Sequence, residues 1–523
     1  MTFFLRPWPL VTLSTLFSVG LGSLVSIVPQ AQAQCPNTLK TSIPRLFETP
    51  ALARSYWGVT VATESGTVLY DHQGDRFFMP ASVQKLFTTA AALQTLGPDY
   101  RRETTVTLRP NPANPDRPDL HITGQGDPAF NHDDLARLAQ ATAQQLQLQG
   151  TSVIAQLWGD EGFSQGTQTP PTWEWADTQA GFGAPVNSLV LTQNALPITL
   201  RPQAIGQPLR LEWDNPRDGV GWDGLGWEVV NRSRSGGSGE REWVAIGQSL
   251  SDRTVQVQGV LQAGAAAEPV AIAALAPGDR FLAEFAAALD REGITVQDWA
   301  VEDWANPNSP QPDSPPSDSA SNPANPAPLA VYPSPPLSDL ITTTNQTSNN
   351  LYAEALVQWL GHAEADSSPA DRRSPWERGL EHMESTLLEL GVPAETLVIA
   401  DGSGLSRQNL VTPQATVSLL QAMARSPHNT TYRQSLAVAG QQGSLRLRFQ
   451  ETNLVGRFQG KTGSMTGVYG LAGYVQPPQF EPLVFSAFIN HANAPYGTLR
   501  QTLEAIVVEL GRLQVCTSTG SPL

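Results

Sequence analysis

Apolar positions along the chain change period several times, and each change marks an element. Trp57 to Ala62 and Thr67 to Asp71 are short β-rich runs on either side of Glu64-Ser65-Gly66, an arrangement that predicts a β-hairpin. Soon afterwards Val83, Leu86, Phe87, Ala90 and Ala91 recur at helical spacing in a run that reaches Leu96, with Gly97 as the stop. This helix is apolar nearly all round, so it is expected to be mostly buried.

From roughly Arg101 to Asp298 the texture differs. Leu209 to Trp213 and Val255 to Val260 alternate apolar and polar side chains between Gly-rich turns, which predicts β-rich modules. No internal repeat stands out. From Asn306 to Pro336 the chain is dense in Pro, Ser, Asn and Asp and almost free of large apolar residues, the composition of an extended linker. Order is expected to resume at Leu337, with helices over Asn350 to Leu360 and over Trp376 to Leu390 ahead of Gly391. Gly470 to Val475 and Leu483 to Asn490 read as a strand pair, and Leu499, Leu503, Ile506, Val507 and Leu510 as the stripe of a C-terminal helix. Strands and helices therefore lie at both ends of a β-rich block. The economical organisation is one domain, 34–100 and 337–523, interrupted by a mainly β insertion, 101–298, and a linker, 299–336.

The first 33 residues stand apart. Arg6 supplies a positive start, Leu10 to Val28 an apolar stretch, and Ala31-Gln32-Ala33 small residues where a signal peptidase cuts, so 1–33 is expected to be a signal peptide. The alternative is an uncleaved anchor, since the stretch is near spanning length. Gln34 precedes Cys35 where a lipoprotein signal needs a small residue, and no later segment is apolar for long enough to cross a bilayer. The mature protein is expected to be periplasmic or otherwise extracytoplasmic. In that oxidising setting Cys35 and Cys516, the chain's two cysteines, either bond to each other or remain thiols; spacing alone does not choose. A formal net charge of −16 argues against a nucleic-acid partner, which needs clustered Lys and Arg.

Candidate chemistry begins at the buried helix. Ser82 and Lys85 form S-x-x-K, three residues apart and so on one helical face. A serine hydroxyl needs a base within hydrogen-bond reach, and a lysine among apolar side chains loses its charge more readily and can be that base. The start of the helix also places the Ser82 N–H where oxyanion charge could be stabilised. Ser348-Asn349-Asn350, just before a predicted helix, offers a second hydroxyl and an amide; Lys461-Thr462-Gly463-Ser464, placed before the strand pair, offers an extended edge for a bound peptide. In this order the three motifs match a signature of penicillin-interacting serine enzymes.

On these residues the chain resembles the class C low-molecular-mass penicillin-binding proteins, the D-alanyl-D-alanine carboxypeptidase/endopeptidase family. The resemblance extends through Pro80 to Leu86, Gly124 to Pro128, Trp173 to Pro185, Ser334 to Ser338, Asp401 to Ser406 and Gly443 to Arg446. It implies an α+β peptidase domain of antiparallel sheet flanked by helices, with accessory domains inserted after the first motif. It implies an acyl-enzyme on Ser82 with Lys85 as base, Ser348 relaying a proton and Asn350 holding the peptide amide and Lys85. Lys461 and Thr462 would take the substrate carboxylate, Gly463 would allow close approach, and Ser464 with Ser82 would form the oxyanion hole. Asp177 matches a position that contacts the free amine of a diaminopimelate side chain; alternatively it is a surface loop residue. The implied partners are peptidoglycan stem peptides and, as covalent inhibitors, β-lactams, with no metal or other cofactor.

Other chemistries find less support. No H-e-x-x-H zinc pattern occurs, Gly402-Ser403-Gly404 is not a G-x-S-x-G nucleophile elbow, and Gly124-Gln125-Gly126 lacks a βαβ setting. Asp127 reads as a turn former and Asp401 to Ser406 as structural or cleft-lining. Two rival functions remain: a β-lactamase built on the same serine and lysine, and a non-catalytic wall-binding protein.

Overall fold

A computed structural model describes residues 34–111, 114–220, 227–249, 253–302, 327–363 and 373–516. The expected signal peptide and residues 303–326 of the expected linker lie outside these.

The first and last parts of the chain share one antiparallel sheet of six strands. Its order is Ala437–Val438, Phe458–Met465, Val468–Val475, Leu483–Asn490, Tyr56–Thr63 and Val68–His72. The N-terminal hairpin enters through Tyr56–Thr63, which pairs along its length with Leu483–Asn490, from Tyr56 opposite Asn490 to Thr63 opposite Leu483. Both Val468–Val475 and Leu483–Asn490 are buried at every residue, because each face of the sheet is covered. Alternate side chains therefore enter different cores. Leu471, Phe485 and Ala487 pack with Leu39 and Ile43 of the helix Leu39–Phe47 and with Leu503 and Ile506 of the helix Tyr496–Leu510. Ala472, Val484 and Phe488 share the other core with Leu86 and Phe87 of the helix Lys85–Leu96 and with Leu419 of the helix Pro413–Arg425. The helix Lys85–Leu96 also packs against Leu337–Gln346, Asn350–Leu360 and Pro375–Glu389, which buries every residue from Lys85 to Leu93.

The intervening chain is not uniformly β. A mixed five-stranded sheet runs Thr295–Val301, Val153–Asp160, Asp119–Thr123, Glu103–Arg109 and Ala330–Pro333. Two long helices, His132–Leu148 and Pro277–Arg291, share its core through Leu135, Leu138, Leu146, Phe281, Phe285 and Leu289. The first of these helices was open to prediction: Asn131 caps it and forms a capping box with Asp134, ahead of apolar residues at three- and four-residue spacing. Two three-stranded sheets complete the block, Glu228–Gly236 with Thr254–Gln262 and Trp243–Gln248, and Glu268–Ala273 with Ala195–Arg201 and Arg210–Trp213. Their apolar faces meet in one small core around Ile198, Leu200, Val255, Val257 and Ile272.

The expected linker boundaries also need correction. Residues 299–301 finish one strand of the five-stranded sheet, and Ala330–Pro333 forms another, antiparallel to Glu103–Arg109. Order thus resumes before Leu337. A proline-rich composition concealed this strand because proline is tolerated at a sheet edge, and Ala330–Pro333 is an edge strand.

Cys35 and Cys516 form a disulfide, with Cα atoms 5.8 Å apart. Beside it Gln34 N donates to Arg512 O at 3.0 Å, and Gln514 N to Gln34 O at 3.1 Å. The bond closes a loop spanning 481 positions, so it restricts the unfolded chain more than a short-range disulfide would. Replacing both cysteines by serine is expected to cost about 2–5 kcal/mol, read as a fall of several degrees in the thermal midpoint. Reductant should lower the midpoint of the wild type and leave that of the double variant unchanged.

Candidate active site

Three segments far apart in sequence converge at the start of the buried helix. Ala81–Gln84 forms a 3-10 turn that leads into the helix Lys85–Leu96, so Ser82 lies on the turn rather than within regular helix. Ala81 sits in the left-handed region at φ 47°, a strained conformation for a residue with a Cβ. It turns the chain sharply ahead of Ser82, which stays partly accessible while Ala81, Val83, Gln84 and Lys85 are buried.

Lys85 has no exposed surface. Its amine donates to Ser82 Oγ at 3.0 Å, Asn350 Oδ1 at 2.7 Å and the Ser403 carbonyl at 2.6 Å. Burial pushes the amine down to about 7, against the opposing pull of Asp401 and Glu354. Lys85 is therefore in hydrogen-bond contact with Ser82 and divided between its charged and neutral forms near pH 7, so it can gain or lose a proton readily.

Ser348, also strained at φ 62°, precedes the helix Asn350–Leu360. Asn349 caps that helix by accepting from Tyr352 N at 3.1 Å. The cap aims Asn350 across the site: Oδ1 accepts from Lys85, while Nδ2 donates to the Phe182 carbonyl at 3.0 Å. Asn349 Nδ2 donates to Gln193 Oε1 at 2.6 Å. The inserted chain thus grips this motif at two points.

Lys461 to Ser464 lie ahead of the strand pair, as the sequence had suggested, on a strand of their own, Phe458–Met465, which pairs with Val468–Val475. Pairing with Ala437–Val438 ends at Gly460, and from Lys461 onward this edge of the sheet runs beside the Ser82 turn. A Cβ on Gly463 would lie 2.5 Å from Pro80 O, 2.9 Å from Val83 N and 3.0 Å from Ser82 N. Only glycine lets the strand approach the turn this closely. Lys461 is fully buried, and its amine donates to Ser348 Oγ at 2.8 Å and to the Thr462 carbonyl at 2.8 Å. Burial, and then the charge of Lys85, holds it well below the usual lysine range. Thr462 Oγ1 donates to Ser444 Oγ at 3.1 Å, and Ser464 is exposed farther along the strand.

Asp177 stands apart from this group, on the short turn Asp177–Gln179. Burial and Glu174 push its carboxyl up, while Arg407 opposes them. Arg407 pairs with Glu174 at 2.8 Å and donates to the Thr466 carbonyl at 3.3 Å, which ties this part of the insertion to the end of the Lys461 strand. Asp127 accepts from Ala129 N at 2.9 Å, the bond of a turn former, and burial raises its carboxyl to about 6.

Sequence reasoning missed the acidic backing of Lys85. Glu354 is fully buried one helical turn beyond Asn350 and accepts from Gly402 N, Ser403 N and Trp376 Nε1. Burial and the neighbouring Asp401 raise its carboxyl. Asp401, also fully buried, accepts from Gly404 N, Ser406 N, Asn409 Nδ2 and Trp173 Nε1. One signal was available: a carboxylate in a helix as apolar as Asn350–Leu360 has to be paired.

The profile of the D-Ala-D-Ala carboxypeptidase 3 (S13) family matches residues 39–509. A D-alanyl-D-alanine carboxypeptidase of Actinomadura sp. (strain R39) is 30% identical, over 97% of this chain and 90% of its own length. A penicillin-sensitive carboxypeptidase A of Dictyostelium discoideum is 24% identical over 87% of each chain. The crystal structure of penicillin-binding protein 4 from Haemophilus influenzae superposes with a TM-score of 0.72 at 23% identity, covering 90% of this chain and 98% of that one, a likeness of fold. A triad of motifs gathered around one buried lysine, a profile match over nearly the whole described chain and full-length relatives lead to one conclusion: the chain belongs to the D-Ala-D-Ala carboxypeptidase 3 (S13) family.

Proposed function

We propose that the protein is a serine D,D-peptidase acting on D-alanine-terminated peptides of peptidoglycan through an acyl-enzyme on Ser82. The observation that carries this reading is the 3.0 Å contact between a buried, easily deprotonated Lys85 and Ser82 Oγ, in a chain of this family. Ser82 Oγ attacks the carbonyl carbon of the penultimate D-alanine as Lys85 takes its proton. The N–H groups of Ser82 and Ser464 hold the developing oxyanion. The intermediate collapses by breaking the C–N bond; Ser348 gives its proton to the leaving amine and is reprotonated with the proton that Lys85 took from Ser82, which returns Lys85 to its neutral form. Asn350 orients both Lys85 and the peptide amide. Water then hydrolyses the ester and frees Ser82.

Lys461 and Thr462 receive the substrate's terminal carboxylate, and Gly463 keeps the strand against the nucleophile. A carboxylate arriving beside Lys461 favours its charged form, so binding reverses the depression that burial imposes. Asp177 serves the amine-bearing arm of the stem peptide. A β-lactam supplies the same carbonyl and carboxylate and acylates Ser82. The domain reading that follows is a peptidase domain made of both chain ends, carrying an insertion of an α/β unit and a β unit. Substrate chemistry places the protein outside the cytoplasm, exported by residues 1–33. Among the described residues no helix is long and apolar enough to cross a membrane.

Three outcomes are expected. Intact-mass analysis with a penicillin should show one stable penicilloyl adduct on wild type and none on Ser82→Ala; rapid hydrolysis of the antibiotic would instead mark a β-lactamase, and no reaction a non-catalytic protein. The acylation rate should rise with pH and level off above about 7, because only neutral Lys85 accepts the Ser82 proton and its amine deprotonates through that range. Asp177→Asn should lower kcat/KM about tenfold for a peptide with a free side-chain amine, on the scale of one charge-assisted hydrogen bond, and leave an N-acetylated analogue unaffected.

A further inference from the structure

The carbonyl that receives a proton of Lys85 belongs to a peptide group held from both ends. Lys85 Nζ donates to Ser403 O at 2.6 Å. The N–H of that same peptide unit, carried by Gly404, donates to Asp401 Oδ1 at 2.6 Å. The preceding peptide repeats the pattern: Thr88 Oγ1 donates to Gly402 O at 2.6 Å, and Ser403 N donates to Glu354 Oε1 at 2.8 Å. Two carboxylates thus act through two consecutive peptide groups on two side chains of one helix, Lys85 and Thr88. The peptide pair is pressed onto the nucleophile turn, since Gly404 has φ 80° and a Cβ there would fall on the Ala81 carbonyl oxygen.

We propose that Asp401 is a positioning residue for the acylation reaction, acting on Lys85 through the Ser403–Gly404 peptide. A carboxylate on the N–H end of an amide polarises it and makes its oxygen a stronger acceptor. Polarisation steadies the ammonium that Lys85 becomes on taking the Ser82 proton. A carboxylate in direct contact with Lys85 would hold it charged and unable to act as a base, whereas no carboxylate at all would leave a buried ammonium uncompensated. One intervening peptide sets an intermediate strength. The charged groups facing Lys85 are Asp401 and Glu354 on the favourable side and Lys461 on the unfavourable side. Asp401 reaches Lys85 through the acceptor of its proton; Glu354 reaches the neighbouring peptide. Both oxygens of Asp401 are otherwise engaged, Oδ1 with Asn409 Nδ2 at 2.8 Å, and Oδ2 with Ser406 N at 2.6 Å and Trp173 Nε1 at 2.8 Å. Trp173 comes from the insertion, so the inserted chain tempers the charge of Asp401.

This inference rests on Ser82 as nucleophile and Lys85 as base, and its test separates the two claims. The acylation rate by a fluorescent penicillin is measured against pH for wild type, Ser82→Ala, Asp401→Asn and Trp173→Phe, with thermal melting of each. Asp401→Asn should move the acid limb down by about one pH unit and lower the plateau about tenfold. Trp173→Phe removes a hydrogen bond that tempers the Asp401 charge and should move the limb up, by about half a unit. A merely structural role predicts lower amplitude in both variants with the limb in place. A folded Asp401→Asn with an unmoved limb overturns the inference, as does a downward shift in Trp173→Phe. Should Asp401→Asn fail to fold, the direction of the Trp173→Phe shift decides alone. Absence of acylation in wild type, or its persistence in Ser82→Ala, counts instead against the underlying enzyme reading.

Discussion

A lysine amine with no exposed surface is expensive to house, and the arrangement around Lys85 follows from that expense. Desolvation works against its charge, so its three hydrogen bonds all end on oxygen atoms: a hydroxyl, an amide and a backbone carbonyl. Each acceptor has to be fixed by something else. Asn350 is aimed by the helix that Asn349 caps, Ser403 is held by two buried carboxylates, and Ser82 is held by a strained turn. Remove the lysine, and few of these arrangements retain a purpose.

The same constraint accounts for where strain is stored. Ala81 and Ser348 both occupy left-handed backbone conformations, and each immediately precedes or constitutes a residue of the site. Such conformations persist only where surrounding packing over-determines them. Here the packing is supplied by the helix Lys85–Leu96, buried against three other helices, and by a sheet edge that reaches the turn because residue 463 lacks a side chain.

The inserted chain is part of this support rather than an appendage. Phe182 fixes the free end of the Asn350 amide, Gln193 engages Asn349, and Trp173 bonds to Asp401. All three contacts come from the irregular chain between Val153–Asp160 and Ala195–Arg201, and they reach Asn350, the residue before it, and the carboxylate behind the Ser403 carbonyl. The scaffold contacts and Asp177, the residue proposed to meet the substrate's amine-bearing arm, thus lie on one stretch. The stretch leaves the five-stranded sheet at Val153–Asp160, enters a small sheet at Ala195–Arg201, and is braced between them by the bridge of Ala180 to Ile272 and the bonds of Gln248 to Gln179.

Local pattern was enough to read much of this protein from its sequence. Periodicity exposed the hairpin, the buried helix, Asn350–Leu360, the final strand pair and the C-terminal helix, because each has a regular apolar spacing of its own. S-x-x-K was legible because three residues on one turn bring Lys85 to Ser82 whatever the rest of the chain does. Tertiary structure decided everything that depends on distant partners. The Cys35–Cys516 bond, the edge strand Ala330–Pro333 hidden in proline-rich chain, and the placement of Lys461 within its strand all needed neighbours that sequence does not name. The acidic backing of Lys85 is the sharpest case. Glu354 and Asp401 lie 269 and 316 positions from that lysine in sequence and bind the backbone amides of Ser403 and Gly404 behind it, whose positions no side-chain motif records.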